Sequence, residues 1–240
     1  MSDTPKVTIV IPIYNEEAIL RSAVIDLVDR LEPMGFDYKL VLAENGSTDA
    51  TLDLCRELSE RYPQVSFLSV GSPGNGNYGR ALRQGILDAD SEYVFCDEID
   101  LCDTDFYGRA LELLEAKEAA MVIGSKLLAG ASDERPLVRH LGSQVINGML
   151  RVALDFRGTD THGLKAFRLA SLRPIAEQCI VDKDLFASEL VIRAERASIP
   201  IREIPIRVLE KREPQIHLFR RVPNVLKNMV KLVVAIRFKG

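Results

Sequence analysis

Long apolar runs are missing from this sequence. None approaches the ~18 residues that a membrane-spanning helix requires, so no spanning segment is expected. An excess of basic charge is missing too. The 31 Lys plus Arg stand against 35 Asp plus Glu, a net −4, which argues against a general nucleic-acid binder. The first residues, MSDTPKVTIVIP, carry no basic segment followed by an apolar core and a cleavage site, so no signal peptide is expected. Cysteine is scarce: Cys55, Cys96, Cys102 and Cys179 show no Cys-x-x-Cys spacing. Two of them lie in apolar patterns as small core residues, and the expectation is a reducing cytoplasm without disulfides. Repeats and low-complexity linkers are absent, so 240 residues read as one continuous domain rather than two.

What is present is alternation. Residues 6–13, KVTIVIPI, read as a buried strand stopped by Pro12, and residues 18–31 carry apolar side chains at helical spacing. Strands at 38–43 and 65–70 flank a helix over 49–61, capped by Ser47, Thr48 or Asp49. A glycine-rich loop, 71–79, leads into a helix over 80–89. A strand at 93–96, a helix over 106–116 and a strand at 120–124 follow. Strand and helix in turn predict an α/β fold with a doubly wound, mostly parallel sheet. The second half reads as a helix over 136–154, a turn and short extended piece over 158–168, and a helix over 185–197. An edge strand over 200–208 follows, with Pro205 compatible with that position.

The organising stretch is Tyr93-Val94-Phe95-Cys96, which stops abruptly at Asp97, Glu98 and Asp100. Open α/β sheets bind ligands beyond the carboxyl ends of such strands. Carboxylates clustered there repel one another unless they hold a cation or take up protons. Hard oxygen ligands suit Mg²⁺ or Mn²⁺, which bind one or two carboxylates and a substrate's phosphates. The competing interpretation is an acidic loop capping the next helix.

The loop Gly74-Asn75-Gly76-Asn77-Tyr78-Gly79 is a G-x-G-x-x-G, and Asp97 follows at about the distance a dinucleotide fingerprint expects. That fingerprint belongs to the first strand of a sheet, however, and this loop follows the third. Its glycines are expected instead to bring backbone close to a ligand or to the acidic cluster, with Gly79 permitting a tight turn.

Five further segments sharpen the picture: V-x-I-V-I-P-x-Y-N-E-E at 7–17, E-N-G-S-T-D at 44–49, N-x-G-x-A at 77–81, G-S-K at 124–126 and D-T-H-G-L-K-A-F-R at 160–168. With Arg139-x-x-x-Ser143, Ser188-Glu189-Leu190 and Glu203-Ile204-Pro205-Ile206, the ordered series runs from about residue 7 to about 212. It resembles the inverting family-2 glycosyltransferases of GT-A fold, in their dolichol-phosphate (polyprenyl-phosphate) mannosyltransferase branch.

The resemblance implies a nucleotide-diphosphate sugar donor, GDP- or UDP-linked, with Mg²⁺ or Mn²⁺ across its diphosphate. Pro12, Tyr14, Glu16 and Glu44 fall where the family contacts nucleoside. Asp97, Glu98 and Asp100 form the implied metal set, and Asp100 is its leading member. Lys126, Arg139 and Arg212 fall where the branch holds the lipid phosphate, which is itself the nucleophile. Arginine's planar fork suits two phosphate oxygens. A sugar-hydroxyl acceptor would need a base instead, and Glu189 is the candidate, with a salt bridge to Arg193 as its alternative. His162 and His217 stay outside the metal set.

Departures from the family's pattern are visible. D-x-D becomes Glu98-Ile99-Asp100, the expected Gln becomes Cys102, D-D-G-S becomes E-N-G-S, and Glu213-Pro214-Gln215-Ile216 replaces G-x-S-K. A soluble or glycan hydroxyl acceptor and a catalytically silent nucleotide-sugar binder therefore remain as alternatives. Residues 1–215 are expected to form the catalytic domain and 216–240 a basic amphipathic tail. Val222, Val225, Leu226, Met229, Val230 and Val233 make its apolar stripe, with Arg220, Arg221, Lys227, Lys231, Arg237 and Lys239 around it. Such a helix lies in an anionic membrane interface or packs on the protein's own core. The expected location is cytoplasmic, peripheral to a membrane.

Overall fold

The computed structural model describes residues 5–133, 137–208 and 218–238. Its first half follows the alternation in the sequence. Strands β1 (Val7–Ile13), β2 (Tyr38–Glu44), β3 (Val65–Ser69) and β4 (Tyr93–Cys96) are joined through helices α1 (Leu20–Leu31), α2 (Thr51–Arg61) and α3 (Tyr78–Asp88). Helix α4 (Thr104–Glu115), strand β5 (Met121–Ser125), the two-residue β6 (Ser132–Asp133) and helix α5 (Leu137–Leu154) come next. Strand β7 (Leu164–Arg168), helices α6 (Leu169–Gln178) and α7 (Phe186–Arg196), strands β8 (Ile201–Pro205) and β9 (Arg207–Val208), and helix α8 (Leu218–Phe238) complete the order.

Seven strands share one sheet in the order β3-β2-β1-β4-β7-β5-β8. Every pairing is parallel except those of β7, which runs antiparallel to both β4 and β5. The central strands are apolar on both faces because helices cover both. Ile9, Ile11, Leu40, Leu42 and Phe95 face one layer, and Val10, Ala43, Val94 and Cys96 the other.

The piece expected to be short and extended is thus a sheet centre. Its polarity has a consequence for function. A strand antiparallel to its neighbours begins where they end, so Leu164 pairs with Gly124 and Lys165 with Cys96. The segment before it, 159–163, is thereby delivered to the carboxyl ends of the parallel strands. Of the expected edge strand over 200–208, Ile201–Pro205 do form the edge as β8, whereas Arg207–Val208 leave it as β9 to pair with β6 in a separate two-stranded sheet. Helix α6 was not anticipated because Pro174 interrupts its pattern.

Helix α8 joins the core. Met229, Leu232, Ala235 and Ile236 are buried with α5 and α7, whereas Val230 is 65% exposed and Val234 faces outward with Lys227 and Lys231. The buried face is therefore turned relative to the stripe in the sequence. Two arginines of α7 pin its end: Arg193 donates to Ala235 O and Arg196 to Ile236 O, both at 3.3 Å. Arg196 also reaches Leu154 O of α5, satisfying terminal carbonyls of two helices with one side chain. Among the described residues, no helix is long and apolar enough to cross a membrane. All four cysteines are buried and free.

Candidate active site

Three loops meet at the carboxyl ends of β1, β2 and β3. Asn15, with φ of 52°, turns the chain after β1. Its N–H donates to Ser47 Oγ at 3.0 Å, and its Oδ1 accepts from Thr48 N at 2.8 Å. Glu16 N donates to Thr51 Oγ1 at 2.8 Å. The E-N-G-S-T-D segment, with Thr51 beyond it, thus holds the Y-N-E-E segment. Glu44 is 1% exposed and accepts from Ser47 N at 2.5 Å and Ser69 Oγ at 2.7 Å. Asn45, in place of the family's second acid, accepts from Asn77 N at 2.5 Å through Oδ1. An aspartate there would also accept this bond, so the replacement removes a charge and keeps the link.

The glycine-rich loop closes over this frame. Tyr14 is half-exposed and its ring lies against Gly76, where a Cβ would come within 2.9 Å. Asn77 caps α3 by accepting from Arg80 N at 3.1 Å, and the same oxygen accepts from Lys183 N at 2.8 Å. Gly79 lies in the first turn of α3 rather than in a tight turn. It is glycine because the Lys183 backbone passes 2.5 Å from where a Cβ would be. Pro12, half-buried on β1 opposite Ala43, and the buried Glu16 complete the side expected to meet nucleoside.

At the end of β4 the three acids diverge. Asp97 is 2% exposed and turned inward. It accepts from Glu98 N at 2.6 Å, Asp103 N at 3.1 Å and the Tyr107 hydroxyl at 2.5 Å. Burial pushes its pKa up to about 7 against the pull of those bonds. Asp97 thus ties β4 to α4, and its carboxylate is turned away from the rim where the metal set was expected. Glu98 is exposed and Asp100 half-buried at the rim. Among the described residues, no three His, Cys, Asp or Glu side chains converge as metal ligands. Two rim carboxylates do fit a Mg²⁺ or Mn²⁺ that arrives with phosphates, because such ions take one or two carboxylates beside substrate oxygens. Tyr78 faces this turn. Its hydroxyl is pushed up by burial and then by Glu98, Cys96, Asp97 and Asp100.

Across the site, the segment before β7 forms a buried polar cluster. Lys126, following β5, donates to Asp160 Oδ2 at 2.7 Å, and both side chains are nearly inaccessible. Burial works against ionising Asp160, but the Lys126 ammonium and the His162 N–H hold its pKa below the ordinary carboxylate value. Lys126, expected to meet acceptor phosphate, is already neutralised by this partner. Thr161 Oγ1 bonds to Asn147 Oδ1 at 3.2 Å, Ser188 Oγ at 2.9 Å and His162 Nδ1 at 3.1 Å.

Glu189 is fully buried on α7. Its Oε1 accepts from Arg193 Nε at 2.8 Å, and its Oε2 accepts from Ile180 N at 3.0 Å and Val181 N at 2.6 Å. Both oxygens are engaged, as the salt-bridge alternative expected. Arg139 falls in the first turn of α5, with its side chain outside the described residues. Arg212 and His217 lie outside them altogether.

Sequence reasoning missed Tyr107, Lys165 and Tyr78 as members of this region. A lysine inside the apolar run of a central strand, L-K-A-F, was the available signal for Lys165.

A mostly parallel sheet with loops gathered at its carboxyl ends and a glycine-rich crossover matches the GT-A fold. The chain belongs to glycosyl transferase family 2, whose model matches residues 8–167. It is similar to the dolichyl-phosphate β-glucosyltransferase of Dictyostelium discoideum, at 22% identity over 96% of this chain and 74% of that protein. It is 23% identical to glycosyltransferase AglD of Haloferax volcanii over 90% of this chain, spanning 35% of that longer protein. Among solved structures, glucosyl-3-phosphoglycerate synthase from Mycobacterium tuberculosis, with Mn²⁺, UDP-glucose and phosphoglyceric acid, superposes with a TM-score of 0.65. That match has 18% identity and covers 95% of this chain and 80% of that one. The Pyrobaculum calidifontis mannosyltransferase PcManGT, with GDP-mannose and Mn²⁺, gives 0.60 at 18% identity, covering 97% of this chain and 65% of that one. At these identities the structural likeness is one of fold.

Proposed function

We propose that this glycosyltransferase moves a hexose from a nucleotide-diphosphate sugar to a polyprenyl phosphate, with inversion and with a divalent cation. The observation that carries the reading is the state of Glu189. A hydroxyl acceptor needs a base, and the carboxylate best placed in sequence for that work is buried with both oxygens engaged. A phosphate oxygen is already anionic near neutral pH and needs none. The dolichyl-phosphate glucosyltransferases among the chain's relatives support the same acceptor class.

In this reading Glu98 and Asp100 would hold Mg²⁺ or Mn²⁺, which would supply positive charge beside the nucleotide's phosphates. Tyr14 and Pro12 border the nucleoside. Glu16 and Glu44 act from behind by fixing the loops rather than by reaching into solvent. Arg139 and Arg212 supply cations for the acceptor phosphate. Residues 1–215 carry the chemistry. The outward Lys227, Val230, Lys231 and Val234 of α8 present a basic and apolar face to an anionic membrane, at which the enzyme works as a peripheral protein.

A donor panel tests the reading. UDP- and GDP-sugars are screened for thermal stabilisation with Mn²⁺ and with EDTA. A ligand at 100 times its dissociation constant adds about 2.7 kcal/mol. The expected result is stabilisation by one donor that requires metal. Stabilisation by none in either condition contradicts the donor assignment.

A further inference from the structure

Lys165 is the one charged side chain in the middle of β7, bonded in the sheet to Cys96 on one side and Ile123 on the other. It is 3% exposed. Removing an ammonium from water is costly unless an opposite charge meets it. Its Nζ instead donates to a neutral group, Gly163 O, at 2.7 Å. The nearest acids do not neutralise it. Asp160 already pairs with Lys126 at 2.7 Å, and Glu98 acts on Lys165 only through the field. Lys126 and Asp160 pair with each other, so the Lys165 ammonium meets a carbonyl rather than a carboxylate of its own. Burial lowers the Lys165 pKa to about 8, opposed by Cys96, Asp160 and Glu98, so the group remains mostly charged at neutral pH.

The register fixes where that charge sits. Cys96, opposite Lys165, is the last residue of β4, immediately before the Asp97–Asp100 turn. Tyr78 senses Cys96 and the same acids from the glycine-rich loop. Lys165 thus lies beneath the turn that carries the rim carboxylates, beside Cys96, which packs with Ala81, Leu82 and Ile86 of α3. Methionine would fill the same space without the desolvation cost, at the loss of the bond to Gly163 O.

We infer that Lys165 is a built-in cation of the donor pocket, whose ammonium draws the nucleoside diphosphate toward the Glu98–Asp100 turn and opposes a divalent ion arriving alone. The inference rests on the donor reading above. Lys165 is a positioning residue here, since it acts through the field and through Gly163 rather than by forming or breaking bonds. The sign of its effect separates this role from a merely structural one. A positive charge helps an anionic ligand and hinders a cationic one, whereas lost packing weakens both. At an effective dielectric near 20, one buried charge acting across a pocket changes affinity by about tenfold.

The test titrates UDP and GDP in EDTA, then Mn²⁺ alone, against wild type, Lys165→Met, Lys165→Gln and Lys165→Arg. Glutamine keeps an N–H donor for Gly163 O without the charge, so it decides the matter if the methionine variant folds poorly. The expected result is nucleotide affinity about tenfold weaker and Mn²⁺ affinity severalfold tighter in the Met and Gln variants, with Arg close to wild type. Parallel weakening of both ligands, or no change in either, overturns the inference while leaving wild-type nucleotide binding intact. Wild type that binds neither nucleotide, with or without Mn²⁺, overturns the donor reading and this inference together.

Discussion

The Tyr107 hydroxyl donates to Asp97 Oδ2 at 2.5 Å, locking the end of β4 to helix α4 beneath the rim of the site. Asp97 holds its proton up to about pH 7 because burial outweighs its hydrogen bonds. The unfolded chain releases that proton near pH 4, so folded protein binds the extra proton in between. This group's contribution to stability therefore falls as pH rises from about 4 to about 7 and is level above. Tyr107→Phe removes a bond that matters most to the ionised form. The variant is expected to lose about 1–3 kcal/mol at pH 8 and less at pH 5, measured by urea unfolding. Equal losses at the two pH values would contradict this account of Asp97.

Gly79 is expected to refuse a side chain. An added Cβ meets Lys183 O at 2.5 Å, Lys183 N at 2.7 Å and Phe186 Cβ at 2.7 Å. Gly79→Ala should cost about 1–3 kcal/mol by overpacking. Nucleotide affinity should fall with it, because Lys183 N is hydrogen-bonded to Asn77 of the same loop. Thermal unfolding and nucleotide titration check the two effects; unchanged unfolding would show that the two backbones have room to part.

Much of this architecture was legible because β1 to β5 and their helices obey local patterns. Apolar runs stop at polar turns, although the cap expected from Ser47, Thr48 or Asp49 falls on Ala50, which has no side-chain cap bond. The centre of the sheet was less legible. β7 reads as a short extended piece because five residues carry little pattern, and only tertiary pairing with β4 and β5 makes it a core strand. The acids at the end of β4 were legible as a group but not as individuals. Which carboxylate turns inward depends on Tyr107, ten residues away on the next helix. Glu189 shows the same limit, since its i+4 arginine was visible but the Ile180 and Val181 N–H groups were not.

Helix α8 is expected to separate stability from surface binding by face. Leu232→Ala, in the core, should cost about 2–5 kcal/mol. The pair Lys227→Glu and Lys231→Glu, on the outward face, should leave unfolding nearly unchanged and weaken binding to anionic vesicles. Co-sedimentation with vesicles at rising salt reads the second effect, which should match wild type once the charge is screened. Charge-reversed protein that still co-sediments fully at low salt would remove this face as the membrane contact.

Transfer of hexose to a phosphate carried by a lipid is the activity proposed for this enzyme. The most direct measurement follows labelled hexose from the donor that stabilises the protein into organic-extractable product, with polyprenyl phosphate as acceptor and Mn²⁺ or EDTA present. Wild type is expected to form labelled lipid steadily with Mn²⁺ and to stop in EDTA. Asp100→Ala should fall at least a hundredfold while remaining folded, a loss of about 2.7 kcal/mol in the transition state. A wild-type protein that binds the donor, yet leaves polyprenyl phosphate unlabelled with metal present, would contradict the claim.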